Sequence, residues 1–96
     1  MTLSKLEGWY MAQCNGEWEH SYGVKIETLD NPGWRIRIDL SETKKQGSEL
    51  KRTSVERDEN DWLECWTEDN RFNLACGPLN LSEAVDFFVQ WFESDA

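Results

Sequence analysis

Basic residues are scarce in this chain: 10 Lys and Arg stand against 19 Asp and Glu, a net charge of −9. Such a balance repels phosphate backbones and anionic lipid, so neither nucleic acid nor a membrane is an expected partner, whereas a basic protein surface is. Long hydrophobic runs are missing too. The apolar stretches are only a few residues long, too short for a bilayer span or a leader, and Met1 leads straight into a helix start, so a cytoplasmic protein is expected. One histidine and three cysteines (Cys14, Cys65 and Cys76) supply no Cys-x-x-Cys pair and no ligand spacing, which argues against a metal. Reduced, mostly buried thiols are the preferred reading, with a Cys65–Cys76 bridge between neighbouring strands as the lesser alternative. Glycine-rich phosphate loops are absent, and no two carboxylates are spaced as an acid/base pair. Glu19-His20-Ser21 holds a carboxylate, a base and a hydroxyl, but neighbours on an extended chain point apart, and a triad must converge. Neither catalysis nor a cofactor is expected.

Aromatic side chains, by contrast, are abundant: six Trp, four Phe and two Tyr in 96 residues. That length supports one core, so residues 1–96 read as a single domain. The most informative stretch is Trp18 to Leu40. Tyr22/Val24/Ile26/Thr28 and Trp34/Ile36/Ile38/Leu40 alternate with the period of a sheet buried on one face, around the turn signal Asn31-Pro32-Gly33. A register that keeps both apolar sets on one face pairs Val24 with Leu40, Ile26 with Ile38, Thr28 with Ile36 and Asp30 with Trp34. The outer face then sets Lys25 opposite Asp39 and Glu27 opposite Arg37.

Around this hairpin, Ser4 and Glu7 fit a capping box opening a first helix, which presents Leu6, Trp9 and Tyr10 inward and ends near Asn15-Gly16. Ser41 to Glu49 reads as a mobile polar connection. Leu50–Arg57 is a weak third strand and Trp62–Glu68 a fourth, with Leu63, Cys65 and Thr67 preferred as inward; the reverse facing is the alternative. Phe72, Leu74 and Cys76 alternate in a short fifth strand. After Gly77-Pro78, Asn80 and Glu83 cap a second helix. Its stripe of Leu81, Ala84, Val85, Phe88 and Phe92 lids the core, while Glu83, Asp86, Gln90 and Glu93 face water and Phe87 either meets the first helix or is exposed. The class is α+β: N-terminal helix, antiparallel sheet of four to five strands, C-terminal helix, both helices on one sheet face.

Six acids and no base lie between Asp58 and Asp69, with Trp62 and Trp66 interleaved. If Leu63 and Cys65 face the core, Trp62, Glu64, Trp66 and Glu68 form a comb on the open face, joined by Arg35 and Arg37, and that comb suits a basic protein partner. Candidate contact residues are Trp18, Glu19, His20, Tyr22, Asp61, Trp62, Glu64, Trp66, Glu68 and Asp69. The bland reading is that the tryptophans only cover the second sheet face.

Trp9-Tyr10 with Gln13-Cys14, the block Trp18 to Gly23, the run Lys25 to Trp34, Glu59 to Trp62, Cys65-Trp66 and Gly77-Pro78 together resemble immunity protein 53, a family of small bacterial proteins of polymorphic toxin systems. The likeness covers nearly the whole chain. It implies a cytoplasmic antitoxin that binds and neutralises a cognate toxin domain, and it brings no catalytic residues; a monomer or weak homodimer is expected. Combined with the charge, it suggests occlusion of a basic toxin such as a nuclease. A small acidic interaction or regulatory module unrelated to toxins is the alternative, since folds do not dictate function.

Overall fold

The computed structural model describes residues 2–94. Helix α1 (Thr2–Gln13) and the single turn α2 (Trp18–Ser21) precede a hairpin of β1 (Val24–Leu29) and β2 (Gly33–Asp39). Strands β3 (Thr53–Asp58), β4 (Asp61–Glu68) and β5 (Arg71–Cys76) follow, then helix α3 (Leu81–Glu93). The five strands form one antiparallel sheet in the order β1-β2-β5-β4-β3. After β2 the chain crosses to the far edge and works back, so that β5 becomes the middle strand. Its Phe72, Leu74 and Cys76 are fully buried, as the strand lying beneath α3 must be.

Burial is one-sided. Ile36, Ile38, Phe72, Leu74, Cys76, Leu63 and Cys65 face the helices. The inward facing of Leu63 and Cys65 is therefore the one the molecule adopts, and Trp62 and Trp66 lie on the other side. Helix α3 contributes Ala84, Val85, Phe88, Val89 and Phe92, and α1 packs against α3. Trp9 is the plug between them: its ring meets Phe88 at 5.0 Å, Phe92 at 5.3 Å and Trp18 at 5.9 Å, all edge-on, the arrangement that the ring quadrupole favours. Phe87 is half-buried and leans on Phe72 at 6.4 Å.

Four local expectations give way to tertiary contacts. The hairpin register is slipped by two residues, pairing Val24 with Ile38, Ile26 with Ile36 and Thr28 with Trp34. A slip of two keeps every side chain on its face, so alternation alone does not separate the two registers. The pairing of β2 with β5 puts Ile36 on Leu74 and Ile38 on Phe72, and the three-residue loop moves back by one position, to Asp30, Asn31 and Pro32 between the paired Leu29 and Gly33. Second, α1 starts at Thr2, so Ser4 and Glu7 lie inside the helix and make no capping box. Thr2 Oγ1 donates to Asp86 Oδ2 (3.4 Å) and Lys5 lies 4.0 Å from Asp86, drawing the first turn onto α3 while the Asp86 side chain stays partly exposed.

Third, residues 41–52 are tethered rather than loose. Trp18 Nε1 donates to Ser41 O (2.9 Å), the Gly47 amide to Asn70 Oδ1 (2.7 Å) and the Leu50 amide to Thr67 Oγ1 (2.7 Å). Lys44 and Lys45 sit over the rings of Phe92 and Trp91 at 5.2 and 5.1 Å. Fourth, Asn80 precedes α3 but its side chain makes no cap bond; it bridges to β4 instead, as described below. Cys65 and Cys76 are free and buried, and burial raises both thiols to about 11, which keeps them protonated and unreactive.

Gly33 opens β2 where β2 and β5 approach closely: a Cβ there would lie 2.3 Å from the carbonyl oxygen of Cys76. Gly8, inside α1, has open space around it. Gly33→Ala is expected to destabilise by about 2–3 kcal/mol, because backbone must shift to admit the methyl. Gly8→Ala should stabilise by about 0.5–1 kcal/mol through helix propensity. Urea midpoints of the two variants against wild type check both.

Candidate functional site

No third layer covers the far side of the sheet among the described residues. The alternation that buries Ile36 and Leu74 sends Lys25, Glu27, Arg35, Arg37, Asp39, Arg71, Asn73, Trp62, Glu64, Trp66 and Glu68 outward. One row across this open face runs Lys25, Arg37, Asn73, Trp66; the next runs Glu27, Arg35, Ala75, Glu64, Ser54. Charge is thus sorted by strand. On β1, β2 and β5 the cations Lys25, Arg35, Arg37 and Arg71 outnumber the carboxylates Glu27 and Asp39, while β4 and β3 carry Glu64, Glu68, Glu56 and Asp58.

The tryptophans of the comb are half-buried. Arg52, from the segment entering β3, lies over the Trp66 ring at 4.1 Å and ion-pairs with Glu64, so that ring face is capped. Trp66 Nε1 donates to Glu68 Oε2 at 3.3 Å. Trp62 lies beside Gly33 and lines a shallow concavity of about 570 Å³ with Glu56, Arg57, Asp58, Glu59 and Glu64. Arg57 lines one edge of this basin with its guanidinium held by Asp61 (2.9 Å) and Glu83 (2.5 Å). Four carboxylates around an indole make a surface that attracts an ammonium or guanidinium group.

Asp61 belongs to a strut rather than to the open basin. Asn80 Nδ2 donates to Asp61 Oδ1 (2.9 Å) and Glu83 Oε1 (3.1 Å), its Oδ1 accepts the Trp62 amide (3.3 Å), and Arg57 closes the cluster. The β3–β4 hairpin is thereby pinned to the start of α3. Hydrogen bonds from Arg57 and then Asn80 hold the Asp61 carboxyl below its usual range, and the Arg57 bond does the same for Glu83.

The lead-in divides from the comb. Trp18 is a core residue, 3% exposed, and does not join the open face; its neighbours are Trp9, Tyr10 and Tyr22, on the helix side of the sheet. Residues 18–21 form a helical turn, not an extended lead-in, because Asn15 Oδ1 accepts the Glu17 and Trp18 amides at 2.9 Å each. Glu19 holds the preceding loop, accepting the amides of Asn15 and Gly16 at 2.9 Å each. Its own backbone amide first, and then those two, keep its carboxyl low. Tyr22 is half-buried against Trp18, and only His20 of this group is well exposed. Asp69 forms the β4–β5 turn with Asn70, both at positive φ (54° and 57°), the geometry of a two-residue hairpin loop. Of the ten residues expected from sequence, Trp62, Glu64, Trp66 and Glu68 share the open face. Glu56, Arg52, Arg71 and Lys25 join them there, and strict alternation about Leu63 and Ile36 is the signal that places their strands. Among the described residues no cluster of His, Cys, Asp or Glu is arranged to hold a metal ion, and no helix is long and apolar enough to cross a membrane.

A family model described as immunity protein 53 matches residues 3–93. The chain belongs to the immunity protein 53 family. No curated protein and no solved structure matches it. Family membership carries an immunity role, and the matched span includes both the sheet and the helices that leave its far face open.

The strut gives a pH prediction. Carboxyls held low in the folded chain contribute stability that is complete above their unfolded values and is lost as pH falls through the folded ones. Melting temperature should therefore drop on acidification through and below the ordinary carboxylate range. Arg57→Gln is expected to lower the neutral-pH melting temperature and to flatten that acid dependence; a slope identical to wild type would remove the strut from the account.

Proposed function

We propose that this protein is a cytoplasmic antitoxin of a polymorphic toxin system that neutralises a cognate toxin domain by binding it one to one, and that the acidic half of the open sheet face makes the contact. The family match over residues 3–93 carries the reading. The −9 charge and the acid-lined basin at Trp62 favour a basic toxin. A nuclease is such a toxin, since its cleft must attract phosphate, and an acidic face laid over that cleft blocks it. Complementary charge speeds the encounter, and the edge of Trp62 supplies an aromatic anchor.

Co-expression with the toxin domain encoded by the adjacent gene should restore growth and yield a one-to-one complex in size exclusion; a lethal toxin and no complex would overturn the reading. Glu56→Lys with Glu59→Lys changes two carboxylates that have no ion-pair partner among the described residues. The double variant is expected to keep its melting temperature and to associate about tenfold more slowly. Stopped-flow or surface-plasmon association rates measure this, and an unchanged rate would take the basin out of the interface.

A further inference from the structure

The cationic half of the open face has no place in an account built on acidity. Lys25, Arg37 and Arg71 line a concavity of about 350 Å³ with Gly23, Val24 and Asp39. The ladder sets Lys25 directly opposite Arg37, a like-charge pair that disfavours the sheet. Both side chains point away from the core, and the Arg37 charge is met across the ladder by Glu27, whereas Lys25 has no such counter-charge among the described residues. Arg37 gives one N–H to Glu27 (2.9 Å) and Arg71 gives one to Asp39 (3.1 Å), out of the five donors that each guanidinium owns. The Lys25 ammonium has no ion-pair partner among the described residues. Solubility does not explain the cluster, because these cations oppose the sign of the chain as a whole.

We propose that this concavity receives a carboxylate side chain, Asp or Glu, presented by the same protein that meets the acidic half. Lys25 and the free edges of Arg37 and Arg71 supply charge-assisted donors, and a guanidinium edge matches a carboxylate in two-point geometry. The open face then recognises a contact surface whose charge changes sign from β3–β4 to β1–β2. Such a pattern fixes the partner's orientation and rejects partners that are merely basic. The inference rests on the immunity reading above.

Lys25→Glu separates the possibilities. It places a carboxylate opposite Arg37, so the melting temperature should hold or rise. It also makes the chain more acidic, which strengthens general attraction to a basic partner, whereas a carboxylate subsite requires the opposite result. With the toxin domain encoded by the adjacent gene as probe, calorimetric affinity should fall by about tenfold for Lys25→Glu and by about threefold for Lys25→Gln. Lys51→Glu, the same change in net charge ahead of the far edge strand, should bind within about twofold of wild type or tighter. Wild-type or tighter binding by Lys25→Glu overturns the subsite and leaves the immunity reading standing; no complex with the wild-type chain overturns both.

Discussion

Phe88 joins the layers of this molecule. Its ring meets Phe72 on the central strand and Trp9 on α1, each at 5.0 Å, so sheet, C-terminal helix and N-terminal helix close on one aromatic contact. Burying rings of this size contributes about 2–3 kcal/mol each, and edge-on geometry adds to it. With α1 and α3 committed to one face, the described chain has no element left to cover the other. The open face therefore follows from the economy of a small domain, and its character had to be met with side chains that tolerate water.

Those side chains are sorted rather than mixed. Half-buried tryptophans and the Arg52 guanidinium stacked on Trp66 shield the pleat, while carboxylates predominate on β4 and β3 and cations outnumber Glu27 and Asp39 on β1, β2 and β5. Sorting is unfavourable for folding where like charges meet, as at Lys25 and Arg37. An arrangement that works against local stability yet sits on the only sheet face free of helices is what a recognition surface requires. That match of arrangement and place is why the proposed toxin contact is set on this face.

The strut of Arg57, Asp61, Asn80 and Glu83 connects the helical layer to the open face. It ties the β3–β4 hairpin to α3, holding the acid basin at Trp62 in a fixed relation to the core. Asn80 reads in sequence as a helix cap, and its neighbourhood does begin α3. The side chain is taken instead by partners 19 and 18 residues away in the chain, which outcompete the local amides. Side chains held in rigid elements lose little freedom on binding.

Periodicity determined the class and the faces. Alternation of Ile36/Ile38, Leu63/Cys65 and Phe72/Leu74 against outward polar residues, and the helical stripe through Ala84, Val85, Phe88 and Phe92, specify which side of each element is buried, because period is a local property of the chain. The quoted strings were also enough to mark the immunity protein 53 family. Register, order and pairing were another matter. The hairpin's two-residue slip preserves every facing, so only the docking of β2 onto β5 selects it. The burial of Trp18, the capture of Thr2 and Lys5 by Asp86, and the division of the open face into acidic and basic halves likewise depend on residues distant in sequence. Sequence fixes which face each side chain takes; tertiary structure alone decides which distant neighbour it finds there, since those contacts exist only after the sheet has closed.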